Sequence, residues 1–407
     1  VPDPDIQTLL VTVSGHDRPG LTSTLFDAIA DVGAEVLDLE QVVVRGHLTL
    51  ALLLSAGPAD SRLREVVATV GGSLGMQVTV ESGRGDNAPR RGGRAEVVVI
   101  GAPLLASAVA AIAARIAAHG ANIDRIRRLS RYPVTTVELD ISGADIATLR
   151  TELSMEAAVR GVDIAVAPAG LARRGRRLVV MDVDSTLIQD EVIDLLARRA
   201  GREAEVAEVT AASMRGDVDF AESLRRRVAT LAGLPVSVLD EVRADIRLTP
   251  GARTLVRTLK RLGFNVGVVS GGFIEIVGPL AADLEIEHVE ANRLGVADGV
   301  LTGALVGDLV DRRGKAEALR RFAAAEHLPM SRTVAIGDGA NDLDMLAAAG
   351  LGVAFNAKPI VREQAHTAVN VPYLDAVLYL LGITREEIEE ADAADGTPTP
   401  APELPAR

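Results

Sequence analysis

Leu178-Val-Val-Met181-Asp182-Val-Asp184-Ser-Thr186 is the stretch on which the reading of the fold turns. Four apolar residues with no polar alternation fit a short strand buried on both faces of a parallel sheet. The chain then switches to two carboxylates and two hydroxyls, groups that such a strand can present only at its end. The pattern returns twice. Asn265–Val269 runs into Ser270-Gly271-Gly272, and Thr333–Ile336 runs into Gly337-Asp338-Gly339-Ala-Asn341-Asp342. Open parallel sheets bind ligands at the carboxyl ends of their strands, so the three polar segments are expected in one crevice. Lys315 opens a helix after Asp311-Arg-Arg-Gly314 and can bring a cation to the same place; the only other lysines are Lys260 and Lys358.

The chemistry these residues suit is phosphoryl transfer. A carboxylate and a phosphate repel each other, so a carboxylate nucleophile needs cations around both. Asp182 and Asp338 are hard oxygen ligands suited to Mg²⁺. Lys315, the Ser270 hydroxyl and the N–H groups of Ser270 and Gly271 would neutralise the remaining oxygens. Asp184 is placed to give a proton to a leaving group and later to take one from water. Each motif alone is ordinary turn or cap chemistry; the ordered set is what points to a site.

Working outward, residues 187–245 form a long helical insertion between the first two strands. The first 170 residues read as a degenerate repeat in the order βαββαβ. A strand at Leu9–Ser14 leads into the loop Gly15-His-Asp17-Arg18-Pro-Gly20 and a helix with Leu21, Leu25, Ile29 and Val32 at helical spacing. Residues 82–94 are a linker by composition. The second copy replaces the loop with Gly101-Ala-Pro-Leu-Leu. The expected domains are 1–84, 95–172 and 175–385, with 386–407, acidic and then Pro-rich, disordered.

Composition narrows the classes. Hydrophobic residues make up 48% but aromatics only 2%, so the cores are built from Ala, Val, Leu and Ile. A formal charge of −13 argues against nonspecific nucleic-acid binding. Without cysteine there is no disulfide or thiolate chemistry, and the six histidines are scattered without metal-ligand spacing. The acidic N-terminus lacks a signal-peptide start, and the apolar stretch 102–118 carries Arg115, so no membrane partner and a cytoplasmic location are expected.

The ordered motifs resemble all four motifs of the haloacid dehalogenase superfamily, over roughly 175–385. The resemblance implies an α/β, Rossmann-like core with a helical cap, an aspartyl-phosphate intermediate, and Mg²⁺ held by two carboxylates and one backbone carbonyl. By it Asp182 is the nucleophile and a metal ligand, and Asp184 is the acid/base that also lends its carbonyl to the metal. Ser270, Gly271 and Lys315 bind phosphate, Asp338 binds the metal, and Asn341 and Asp342 complete the pocket. Asp184 favours a phosphatase, since dehalogenation needs no proton donor and the transport ATPases carry Thr there. The insertion resembles the cap of the superfamily's members that hydrolyse phosphoserine. That implies Glu191 for the substrate ammonium, Arg227 for its carboxylate, and Met214 and Phe220 as cover. The N-terminal repeats resemble α+β ACT domains, with Gly15, Asp17, Arg18 and Gly20 as an effector loop; serine feedback and a homodimer are implied, and the altered second copy is left a packing role. Competing readings are a phosphatase of another small ester or of phosphoproteins, and an amino-acid-sensing interaction protein with a retired catalytic half.

Overall fold

The computed structural model describes residues 6–55, 60–85, 92–170, 175, 177–215, 219–397 and 399–400, leaving aside the side chains of Met214, Arg215 and Phe220. The chain divides into two compact units, Val1–Arg90 and Arg91–Arg407. In the first, β1 (Gln7–His16), α1 (Leu21–Ala30), β2 (Val36–Val44), β3 (His47–Ser55), α2 (Asp60–Ser73) and β4 (Gln77–Arg84) follow the expected order. The antiparallel sheet runs β2-β3-β1-β4. Period-2 alternation puts Leu9, Val11 and Val13 of β1 and Leu48, Leu50, Leu52 and Leu54 of β3 on one buried face. Leu21, Leu25 and Ile29 of α1 close over that face.

The second unit opens with the repeat: β5 (Ala95–Gly101), α3 (Ala106–Ala118), β6 (Asn122–Ser130), β7 (Thr135–Ser142), α4 (Ile146–Arg160) and β8 (Asp163–Pro168), in sheet order β6-β7-β5-β8. Here Val97–Ile100 of β5 are apolar without alternation because both faces are covered. Val97 and Val99 meet the helices α3 and α4. Val98 and Ile100 join a core shared with Tyr379 and the C-terminal third of the chain.

The remaining strands are β9 (Leu178–Met181), β10 (Asn265–Phe273), β11 (His288–Ala297), β12 (Val300–Val306), β13 (Thr333–Gly337), β14 (Leu351–Phe355) and β15 (Thr367–Val369). They form one sheet in the order β12-β11-β10-β9-β13-β14-β15, parallel except for the β11–β12 pair. Four helices, α5 (Val192–Ala200), α6 (Glu203–Arg215), α7 (Phe220–Ala229) and α8 (Val238–Asp245), make up the insertion. After it come α9 (Ala252–Arg261), α10 (Ile274–Asp283), α11 (Arg312–Ala325), α12 (Leu343–Ala348), α13 (Pro359–Gln364), α14 (Val377–Leu380) and α15 (Arg385–Ala394). The sheet edge β15 lies beside β8. The Thr367 hydroxyl donates to the Ile164 carbonyl at 2.7 Å, and the Asn370 N–H and amide donate to Asp163 at 2.7 and 2.6 Å.

The tail departs from expectation. Residues 386–397 are not disordered: α15 begins at a Thr384/Glu387 capping box, and fully buried Asp392 accepts hydrogen bonds from Arg257 and Arg261 of α9. The acidic run reads as solvated only while those guanidiniums, far off in sequence, are left out of account. Residues 398 and 401–407 lie outside those described.

Candidate active site

The sheet register builds the site. Met181, the last residue of β9, stands beside Val268 of β10 and Ile336 of β13, so the next residues of all three strands emerge at one edge. Asp182 is 3% exposed, its N–H bonded to the Ile336 carbonyl at 2.9 Å. Lys315, in the first turn of α11, is wholly buried, and its ammonium lies 2.7 Å from both Asp182 Oδ1 and Asp342 Oδ1. The Val183 N–H also donates to Asp182 Oδ1, at 2.7 Å. Asp182, Asp338 and Asp342 can each bring a carboxylate oxygen within 4.8 Å of the others. Gly337 makes room for this: a Cβ there would lie 2.4 Å from the Asp342 carboxyl carbon. Asn341 lies alongside, its Oδ1 2.1 Å from where a Gly339 Cβ would stand.

After Asp182 the chain makes an irregular turn in which Asp184 is extended and Ser185 takes φ +56°, strained for a residue with a Cβ. That turn aims Asp184 back at β10. Its Oδ2 accepts from the Ser270 hydroxyl at 2.9 Å, and its Oδ1 accepts from the Val192 N–H at 2.8 Å, at the start of α5. Ser270 Oγ in turn accepts from the Gly272 N–H at 2.7 Å.

Charge is unbalanced here. Burial pushes the Asp182 carboxyl well up, and Asp342 adds to it. Burial likewise raises Asp184, and burial with the nearby Asp342 brings Asp338 to about 6. Burial alone would lower the Lys315 ammonium, but Asp182 and Asp342 outweigh it and hold it above its ordinary value. Four carboxylates against one ammonium leave negative charge that a hard cation would cancel. The all-oxygen donor set therefore fits a divalent ion such as Mg²⁺.

On the cap side, Glu191 Oε1 accepts from the Ser185 hydroxyl at 2.8 Å. Its side chain keeps contact with solvent, yet the enclosing crevice and then the Asp184 charge push it up to about 7. Arg227 of α7 faces Glu191 and Asp194; burial lowers it, and among the described residues its Nε–H has no partner. Met214 and Phe220 lie outside the described side chains. In the first unit, the Asp17 N–H bonds the Gly46 carbonyl at 2.8 Å and Arg18 Nη2 bonds the Leu74 carbonyl at 2.8 Å. Gly20 caps α1 at φ +88°, and a Cβ on Gly15 would collide with Met76.

Two polar residues that sequence reasoning passed over support the site. The Thr186 hydroxyl donates to Asp338 Oδ1 at 3.2 Å. Asn292 of β11, 1% exposed, donates to the Gly271 carbonyl and accepts from the Val310 N–H, each at 2.8 Å. It thus ties the loop after β10 to the approach to α11. The register shift between Ser270 and Phe273 takes the Gly271 carbonyl out of the strand ladder, and Asn292 supplies its partner. A polar residue inside β11 was the available signal.

Fold and site together are those of a phosphoryl-transfer hydrolase built on a parallel sheet. A sequence profile of the haloacid dehalogenase-like hydrolases matches residues 179–347, and ACT-domain profiles match 7–81 and 94–167. The phosphoserine phosphatase of Streptomyces coelicolor is 62% identical over 95% of this chain and 95% of its own length. One from Mycobacterium tuberculosis is 53% identical over 95% and 96%. A solved structure, the unliganded probable phosphoserine phosphatase of Vibrio cholerae, matches at TM-score 0.57 and 34% identity, covering 70% of this chain and 86% of that one. The chain belongs to the phosphoserine phosphatase family of haloacid dehalogenase-like hydrolases, in the form that carries two ACT domains. Among the described residues no helix is long and apolar enough to cross a membrane.

Proposed function

We propose that the chain hydrolyses L-phosphoserine to L-serine and phosphate, with Asp182 as nucleophile. The observation that carries this is the buried Lys315 ammonium 2.7 Å from Asp182 Oδ1, at a strand end where three further carboxylates converge. Asp182 attacks phosphorus, and the serine oxygen leaves with the proton of Asp184, whose raised carboxyl holds it more readily than an ordinary aspartate. Asp184 then takes a proton from the water that cleaves the aspartyl-phosphate. The Ser270 hydroxyl, the Gly271 N–H and Lys315 hold the phosphate oxygens, while Glu191 pairs with the substrate ammonium and Arg227 with its carboxylate. Asp182, Asp338 and the Asp184 carbonyl would hold Mg²⁺, which when bound offsets the repulsion between nucleophile and phosphate. The reading extends to a cytoplasmic homodimer with serine as effector at the Gly15–Gly20 loop of the first ACT domain.

Phosphate release from L-phosphoserine, measured with and without Mg²⁺, tests it. Release should need the ion and disappear in Asp182→Asn. Purified protein that releases none in Mg²⁺ refutes the substrate.

A further inference from the structure

Two linkers join the cap helices to the sheet, one leaving at 188–191 and one returning at 246–249, and they are laced together. Ile188 and Leu248 form an isolated bridge. The Gln189 N–H donates to the Arg247 carbonyl, and its amide to the Leu248 carbonyl, each at 2.9 Å. Asp190 completes the lacing: Oδ2 accepts from the Arg247 N–H at 3.0 Å and Oδ1 from the Arg247 guanidinium at 2.8 Å.

The two residues after Asp190 connect this clasp to the chemistry. Three consecutive residues make three different ties: the Asp190 side chain grips the returning linker, the Glu191 side chain takes the Ser185 hydroxyl, and the Val192 N–H holds Asp184 Oδ1. The group assigned to the substrate ammonium and the group assigned to the leaving-group proton therefore hang from one short segment. Its outer end is fixed by Asp190.

We infer that Asp190 and Arg247 are positioning residues for the reaction: their clasp seats Glu191 and Asp184 together and so sets the preference for an amine-bearing phosphate ester. The inference rests on the function proposed above. An exposed ion pair contributes little by itself, and the Arg247 side chain is 67% exposed. The Asp190 side chain, however, is only 13% exposed and also receives a backbone N–H, which fixes where the two linkers meet whatever the salt concentration. Displacing a reacting group by about 1 Å can cost on the order of 100-fold in rate.

The test compares L-phosphoserine with p-nitrophenyl phosphate on the full-length chain with Mg²⁺. The aryl ester has no ammonium and a leaving group that departs without a proton. In Asp190→Ala the ratio of kcat/KM for phosphoserine to that for the aryl ester should fall roughly 10-fold or more. Asp190→Asn, which keeps an oxygen for the Arg247 N–H, should recover most of it. Arg247→Ala, which removes only the guanidinium, should lower the ratio about 2- to 5-fold. A merely structural clasp would lower the melting temperature and leave the ratio alone. An unchanged ratio in folded Asp190→Ala overturns the inference; should that variant not fold, an unchanged ratio in Arg247→Ala does so. Wild-type protein inactive on phosphoserine overturns the substrate reading, and this inference with it.

Discussion

Replacing Lys315 by Met removes the ammonium and keeps the volume of the side chain. Lys315 and Asp342 are 0% exposed and Asp182 3%, so the change strands two carboxylates in the interior that each lose a 2.7 Å charge-assisted bond. Breaking a buried ion pair from one side costs about 3–5 kcal/mol, which for a unit of this size lowers the melting temperature by roughly 5–8 °C. The cost should depend on pH. The Asp182 carboxyl, already raised by burial, goes higher without its cation, and a raised carboxylate destabilises the fold only where it is ionised. The gap from wild type should thus be widest near about pH 8 and shrink as the pH falls through the raised value of Asp182 towards about 4. Thermal unfolding in chelator across that range measures it. Removing both ends of the pair, in Lys315→Met with Asp182→Asn and Asp342→Asn, should recover much of the loss. A single variant as stable as wild type near about pH 8 would refute the claim that these carboxylates depend on Lys315.

Two other carboxylates should show their environments in the same way. Glu191 sits near about 7 against an ordinary 4.5, so its ionisation weighs against the fold above the higher value and not below the lower one. Because solvent reaches the side chain and screens it, Glu191→Gln should gain only about 1 kcal/mol near pH 8, with no gain below pH 4.5, while losing selectivity for phosphoserine over aryl phosphate. Burial pushes Asp392 up, but hydrogen bonds from Arg257, Thr399 and Arg261 outweigh it and bring it down to about 2. Asp392→Asn should therefore lower stability by about 2 kcal/mol at neutral pH, and thermal unfolding should show the difference closing as the pH falls from about 4 towards 2.

Where the sequence was readable, one element carried its own signal. Leu178–Met181 had to be a strand buried on both faces because nothing in it could meet water, and the polar residues after it had to mark the strand's end. The order of Asp182, Ser270, Lys315 and Asp338 then required little more than sheet topology to bring them together. The tail misled because the burial of Asp392 is decided by Arg257 and Arg261, and no local pattern shows a carboxylate which distant guanidinium it will meet. Asn292 and Arg247 escaped for a related reason. Asn292 serves a carbonyl freed by a register shift in β10, and Arg247 meets Asp190 only because a whole cap has been inserted between them.

The join between β8 and β15 has a consequence for how the protein behaves at high concentration. The outermost strand of a sheet carries unsatisfied backbone groups that can recruit a strand from another molecule. Here two such strands, one from each neighbouring sheet, are turned towards each other and tied through Asp163, Ile164, Thr367 and Asn370. Anything that pries that join apart uncovers two templates for aggregation at once.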